Sequence, residues 1–227
     1  MSENMGFQMR IKYVKRGRLA YLSHLETIRS MERIIRRARL PYAITEGFNP
    51  HMKVSFGPAL PVGAASEGEY LDLRLKEYVK PADAMERMLA ASVGDLAPIA
   101  CEYIDVRADA VTVAFPISDW RAEFESCAVE DLEPAFASLV ERGYVEVKRK
   151  PKKRRGPLEV KQVLLEGRLV GGPVLEQAGG NVIVSFSTMA QNEGSLRPDR
   201  FIEQALEFLE GQQPRMASLT RTCLRGE

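Results

Sequence analysis

QMRIKYVKRGRLAYLSHLETIRSMERIIRRAR, residues 8–39, changes hydrophobic period once and so places a strand before a helix. Over Gln8–Lys15, Met9, Ile11 and Tyr13 alternate with Arg10 and Lys12, the period of two of a half-buried strand. Arg16-Gly17-Arg18 is a turn. From Ser23 the period lengthens to that of a helix, with Ile28, Met31, Ile35 and Ala38 on one side and Arg29, Arg33, Arg36 and Arg37 on the other. Ser23 and Glu26 have the spacing of a capping box, in which each side chain satisfies a backbone N–H that the first turn leaves without a partner. Leu40-Pro41 ends the helix, because the residue before a proline is pushed out of the helical region.

The remaining elements extend this order. Strands are expected over Tyr42–Thr45, Met52–Phe56, Gly68–Leu75 and Ile99–Val106, with a helix over Pro81–Val93. A second series follows: a strand over Ala110–Ile117, a helix over Glu130–Arg142, and strands over Tyr144–Lys148, Leu158–Val170 and Asn181–Met189. A helix over Pro198–Glu210 and a strand over Met216–Leu224 complete it. Both series approximate β-α-β-β-α-β, so the expected fold is α+β with two ferredoxin-like lobes in tandem, residues 8–107 and 108–227.

Composition narrows the function. With 45% apolar and 28% charged residues, the 227-residue chain can bury a core without disulfides or metals. No apolar run approaches the roughly 18–20 residues of a membrane span, and Met1–Phe7 lacks a signal-peptide pattern, which predicts a cytoplasmic protein with no membrane partner. Cys101, Cys127 and Cys223 are too far apart in sequence for a CxxC site, so no metal or cofactor is expected on this chain. Net charge is only +1, yet it is segregated. Met9–Lys53 holds eleven Lys/Arg against three Glu, Ser66–Arg142 seven against seventeen Asp/Glu, and Lys148–Arg155 (KRKPKKRR) seven basic residues in eight. Such a distribution suits a polyanion on one face.

The candidate site residues follow from that charge. Guanidinium groups grip phosphates in bidentate fashion, which points to Arg29, Arg33 and Arg36, although a charged helix face is often only solvated. Glu46–His51 (EGFNPH) adds Phe48, able to stack on a base or to plug the core, with Asn49, His51 and Lys53 beside it. Lys152, Lys153, Arg154 and Arg155 form a candidate phosphate clamp. The two histidines, His24 and His51, are the candidates for acid–base chemistry, although an ordinary helix-start residue and an ordinary loop residue are the plainer reading of them.

RLAYLSHLE (residues 18–26), YAITEGFNPHMK (42–53) and VSFGPALPVGAASEGEYLDL (54–73) together resemble the opening of the radical-SAM-linked protein family. Members of that family stand alone or form the C-terminal part of a cobalamin-binding-type radical-SAM protein. The resemblance implies a radical-SAM protein as partner, carrying the iron–sulfur cluster and S-adenosylmethionine, and hints at RNA. The expected function is therefore an RNA-binding or substrate-presenting subunit of a radical-SAM RNA-modifying enzyme, with tRNA or rRNA as ligand. Two alternatives stand beside it. One is a metal-independent endoribonuclease, by topological analogy with repeat-associated CRISPR RNA-processing enzymes. The other is a protein-docking module that uses the acidic segment.

Overall fold

The computed structural model describes residues 6–149, 159–191 and 195–226. The fold is α+β, and the chain divides into one unit of Met1–Phe115 with Cys223–Glu227 and another of Pro116–Thr222.

In the first unit, β1 (Phe7–Lys15) lies between β3 (Ala65–Leu75) and β4 (Leu96–Ile104), and β2 (Val54–Phe56) pairs with β3, all antiparallel. The strand order is thus β4-β1-β3-β2. The alternation read in the sequence separates two faces. Met9, Ile11 and Tyr13 of β1 join Leu71, Leu73 and Leu75 of β3 under α1 (His24–Arg37) and α2 (Pro81–Ala91), with Met31, Ile34, Ile35 and Met88 filling the space between. On the opposite face, Arg10 stands directly across from Asp72 and holds it through two hydrogen bonds of 2.7 and 2.8 Å.

Arg10 also sets the boundary between units. Its guanidinium donates to the Asp109 carbonyl at 2.8 Å and lies 5.1 Å from the Phe115 ring centroid, which in turn stacks on Tyr70 at 4.5 Å. Residues 108–115 therefore belong with the first unit, and the division expected at 107/108 falls instead at 115/116. Within that segment the chain forms a short helix, α3 (Val111–Ala114), where a strand over Ala110–Ile117 was expected; the strand β5 begins only at Ile117.

The second unit contains β5 (Ile117–Glu125), α4 (Val129–Arg142), the hairpin β6 (Tyr144–Arg149) and β7 (Glu159–Leu164), β8 (Leu169–Ala178), β9 (Asn181–Met189), α5 (Pro198–Leu206) and β10 (Arg215–Arg225). Its order is β10-β5-β9-β8, with β6-β7 forming a separate two-stranded sheet. The core is built by Trp120, Ala122 and Phe124 of β5, Val182, Val184 and Phe186 of β9, and Phe136 and Phe201 of the helices. The strand expected over Leu158–Val170 is two, β7 and the start of β8. β8 contains Gly171-Gly172-Pro173 and tolerates it because this edge strand breaks register at 169/171 and 171/174, where the missing proline N–H is not needed.

The capping box at α1 forms as expected. Glu26 N donates to Ser23 Oγ at 3.4 Å, and the Glu26 carboxylate accepts from Ser23 N at 2.8 Å and from Ser23 Oγ at 2.7 Å. Those bonds favour the ionised carboxylate and hold Glu26 below the usual range, first through the Ser23 hydroxyl and then through its backbone. A depressed folded-state pKa stabilises above the unfolded pKa and is lost as pH falls through the folded value. Ser23→Ala removes this cap and is expected to lower stability near neutrality. The loss should shrink in acid, and denaturant unfolding at pH 7 and pH 3 checks both parts.

Candidate nucleic-acid interface

α1 carries its basic residues on the side away from the core. Thr27, Met31, Ile34 and Ile35 are buried, whereas Arg29, Arg33, Arg36 and Arg37 are exposed. Arg36 pairs with Glu32 one turn earlier at 3.0 Å, an exposed pair of small energetic value that leaves the guanidinium in solvent. The regional excess of +8 overstates the surface charge, because Arg10 and Lys15 are both buried.

Past its C-terminus α1 leads directly into a finger. Arg39 adopts φ 51°, Leu40 is buried, and the chain then doubles back as a narrow hairpin. The Ile44–Met52 bridge and a bond from Lys53 N to the Ala43 carbonyl (2.8 Å) form its stem. Two bonds close the tip: Thr45 N donates to the His51 carbonyl at 2.7 Å, and His51 N donates to Thr45 Oγ1 at 2.9 Å. Gly47 at the tip has φ 114°, a conformation that a side chain would strain. Ala43 N donates to the Arg74 carbonyl and Arg74 N to the Lys53 carbonyl, so the finger is rooted on β3.

At the end of this finger Phe48 is fully exposed, with a relative accessibility of 112%. A ring of that size normally buries itself. Of the two expectations for Phe48, base stacking or plugging the core, the second is thus excluded. Asn49, His51 and Lys53 are exposed around it.

The two histidines lie on different elements. His24, half-buried at the start of α1, meets the Phe56 ring edge-on, with centroids 6.3 Å apart. His51 is exposed on the finger.

Sequence reasoning missed a polar cluster beneath His24. Lys15 is buried, and its ammonium donates to the carbonyls of Ala20 (2.8 Å) and Leu22 (2.9 Å), which close the 3₁₀ turn Gly17–Tyr21. With Tyr13, His24, Thr27 and buried Glu69 it lines a cavity of about 10 Å³. At the end of an alternating strand Lys15 looks like any surface base; only the register to β3 and β4 puts it inside.

Lys148, on β6, is exposed, but Lys152, Lys153, Arg154 and Arg155 lie outside the described residues. Among the described residues, no three His, Cys, Asp or Glu side chains converge to hold a metal, and no helix is long and apolar enough to cross a membrane.

A family model described as "Uncharacterized protein conserved in bacteria (DUF2344)" matches residues 8–198. No curated protein matches the chain in sequence. Among solved structures, a chain of "Crystal Structure of a Cbf5-Nop10-Gar1 Complex" is similar at 15% identity with a TM-score of 0.47, over 97% of this chain and 50% of that one. A chain of "Structure of H/ACA RNP bound to a substrate RNA containing 2'-deoxyuridine" is similar at 13% identity with a TM-score of 0.45, over 97% and 48% respectively. This chain therefore spans about half the length of those it resembles.

Proposed function

This chain belongs to the DUF2344 family of proteins conserved in bacteria, and we propose that it is a non-catalytic RNA-binding subunit that presents tRNA or rRNA to a radical-SAM modifying enzyme. One observation carries the RNA half of this reading: the exposed arginine face of α1 runs into a hydrogen-bonded finger whose tip holds Phe48 wholly in solvent. Arginines grip phosphates and fix register, while an aromatic ring stacks on any base it meets. Arg29, Arg33 and Arg36 serve as the phosphate contacts, Phe48 as the stacking ring, and Asn49, His51 and Lys53 as polar contacts at the finger. Lys152–Arg155 are a further clamp in the same reading.

The radical-SAM half rests on the resemblance of the SHLE and EGFNPH stretches, and it assigns the iron–sulfur cluster and S-adenosylmethionine to the partner chain. The strand orders β4-β1-β3-β2 and β10-β5-β9-β8 support reading each unit as a ferredoxin-like lobe, the second with the β6-β7 hairpin inserted after its first helix.

The test is equilibrium binding of tRNA and rRNA fragments at two salt concentrations, for the wild type and for Arg29→Ala/Arg33→Ala/Arg36→Ala. Each phosphate contact contributes about 0.7–0.9 to the slope of log K against log salt. The triple variant is expected to reduce that slope by roughly 2–3. Equal affinity for structured RNA and for polyglutamate, or an unchanged slope in the variant, would sink the reading.

A further inference from the structure

A shallow apolar groove opens beside the arginine face of α1. Leu19 and Leu22 come from the 3₁₀ turn and the residue after it, Ile34 from the flank of α1, Val93 from the turn joining α2 to β4 and Leu96 from the start of β4. That turn is closed by Leu96 N donating to the Val93 carbonyl at 2.9 Å, which keeps Val93 59% exposed at the groove mouth. Arg33 and Arg37, one helical turn apart, stand among the lining residues, and no carboxylate does.

We propose that this groove receives a single unpaired nucleobase, with the adjoining phosphates held by Arg33 and Arg37. This rests on the RNA-binding reading and narrows it to RNA with an unpaired nucleotide. Size decides the occupant's class. The groove volume is about 150 Å³. A drug-sized ligand needs about 300–1,000 Å³, whereas one planar ring system suits the smaller space. Charge decides its chemistry. An apolar peptide side chain would fill the cleft but bring no anion to the two guanidinium groups, whereas a nucleotide brings an apolar ring face and a phosphate on either side. A fully paired duplex keeps its bases stacked and cannot enter.

The probe is a pair of RNA hairpins identical except for one bulged nucleotide, 2-aminopurine, measured with wild type and with Val93→Ser. Val93 is exposed, so the substitution removes an apolar wall without touching the core. Wild type is expected to bind the bulged hairpin about tenfold more tightly than the paired one, the order of one base contact. The 2-aminopurine fluorescence should change on binding, and Val93→Ser should lose most of the advantage. Equal binding of both hairpins by wild type would overturn the groove and leave the RNA reading standing. An advantage that survives Val93→Ser would likewise overturn it. Failure of both hairpins to bind in low salt would overturn the groove and the RNA reading together.

Discussion

Asp72→Ala destabilises the first unit by about 3–5 kcal/mol, the usual cost of removing one partner of a buried ion pair. Arg10 and Asp72 are 8% and 3% exposed, and Arg10 spends its charge on the carboxylate through two hydrogen bonds. The hydrogen bond to Asp72 raises the guanidinium pKa, outweighing the opposing effect of burial. Arg10 cannot escape by deprotonating when Asp72 is lost, so its charge is left beside the Asp109 carbonyl and the Phe115 ring, with Glu102 across the strand pair as the remaining carboxylate. Replacing both partners, Arg10→Met with Asp72→Leu, removes the stranded charge and should recover most of the loss. Denaturant unfolding is followed by circular dichroism or hydrogen exchange, because the sole tryptophan, Trp120, lies in the second unit. A cost under about 1 kcal/mol for Asp72→Ala would mean that water reaches the guanidinium, and the pair would then be an ordinary surface one.

What the sequence discloses depends on whether the signal is local. The capping box, the stripe of α1 and the alternation of β1 are each written in fewer than twenty consecutive residues; the box forms as expected, Met31, Ile35 and Ala38 are buried with Ile34 where Ile28 was expected, and Met9, Ile11 and Tyr13 share the core face although Arg10 and Lys15 are buried too. β5 was missed: the expected strand stops at Ile117, where β5 begins, although Trp120, Ala122 and Phe124 alternate with Arg121 and Glu123 in the sequence. The end of the first unit was not legible. It depends on Arg10 reaching Asp109 across 99 residues of chain. The charge segregation was half informative for the same reason. The acidic segment looks like one docking surface in sequence, yet Glu69 and Asp72 are buried, Asp131 caps the Ala128 N–H at 2.8 Å, and Glu123 accepts from Asn181 at 2.9 Å. These carboxylates serve separate structural tasks, which takes them from any single acidic face.

The site divides along the same line. Exposed arginines on a helix follow from its period, but the exposure of Phe48 follows from the Thr45–His51 closure, which no spacing rule announces. The groove beneath Arg33 required the α2–β4 turn to arrive beside the 3₁₀ turn, a contact between residues some seventy positions apart.

Lys15→Met costs about 2–4 kcal/mol, because two carbonyls lose a charged donor where no solvent can replace it. The adjoining cavity, about 10 Å³, is at the lower limit for holding even one water. Methionine matches the length of the lysine stem, so the loss comes from the ammonium and not from a void. The consequence should be local before it is global. Arg16, Leu19 and Leu22 close the turn through bonds of 3.0 and 3.1 Å that Lys15 braces from within. In the variant the amides of Leu19 and Leu22 should exchange well ahead of those in β1 and β3. The same turn delivers Leu22 to the groove and Ser23 to the cap of α1, so a frayed turn should also diminish the preference for a bulged hairpin while leaving the arginine-dependent salt slope near its wild-type value. If Lys15→Met left both stability and the exchange of Leu19 and Leu22 unchanged, the lysine would be a passenger in the core, and the turn would owe its position to Gly17 and Asp95 instead. That second anchor exists: Gly17 has φ 52°, a Cβ there would sit 2.5 Å from the Asp95 carboxylate, and Arg16 N donates to the Asp95 carbonyl at 2.8 Å. Its bonds hold the start of the turn, whereas Lys15 holds the end from which α1 departs, so the two anchors are expected to fail independently.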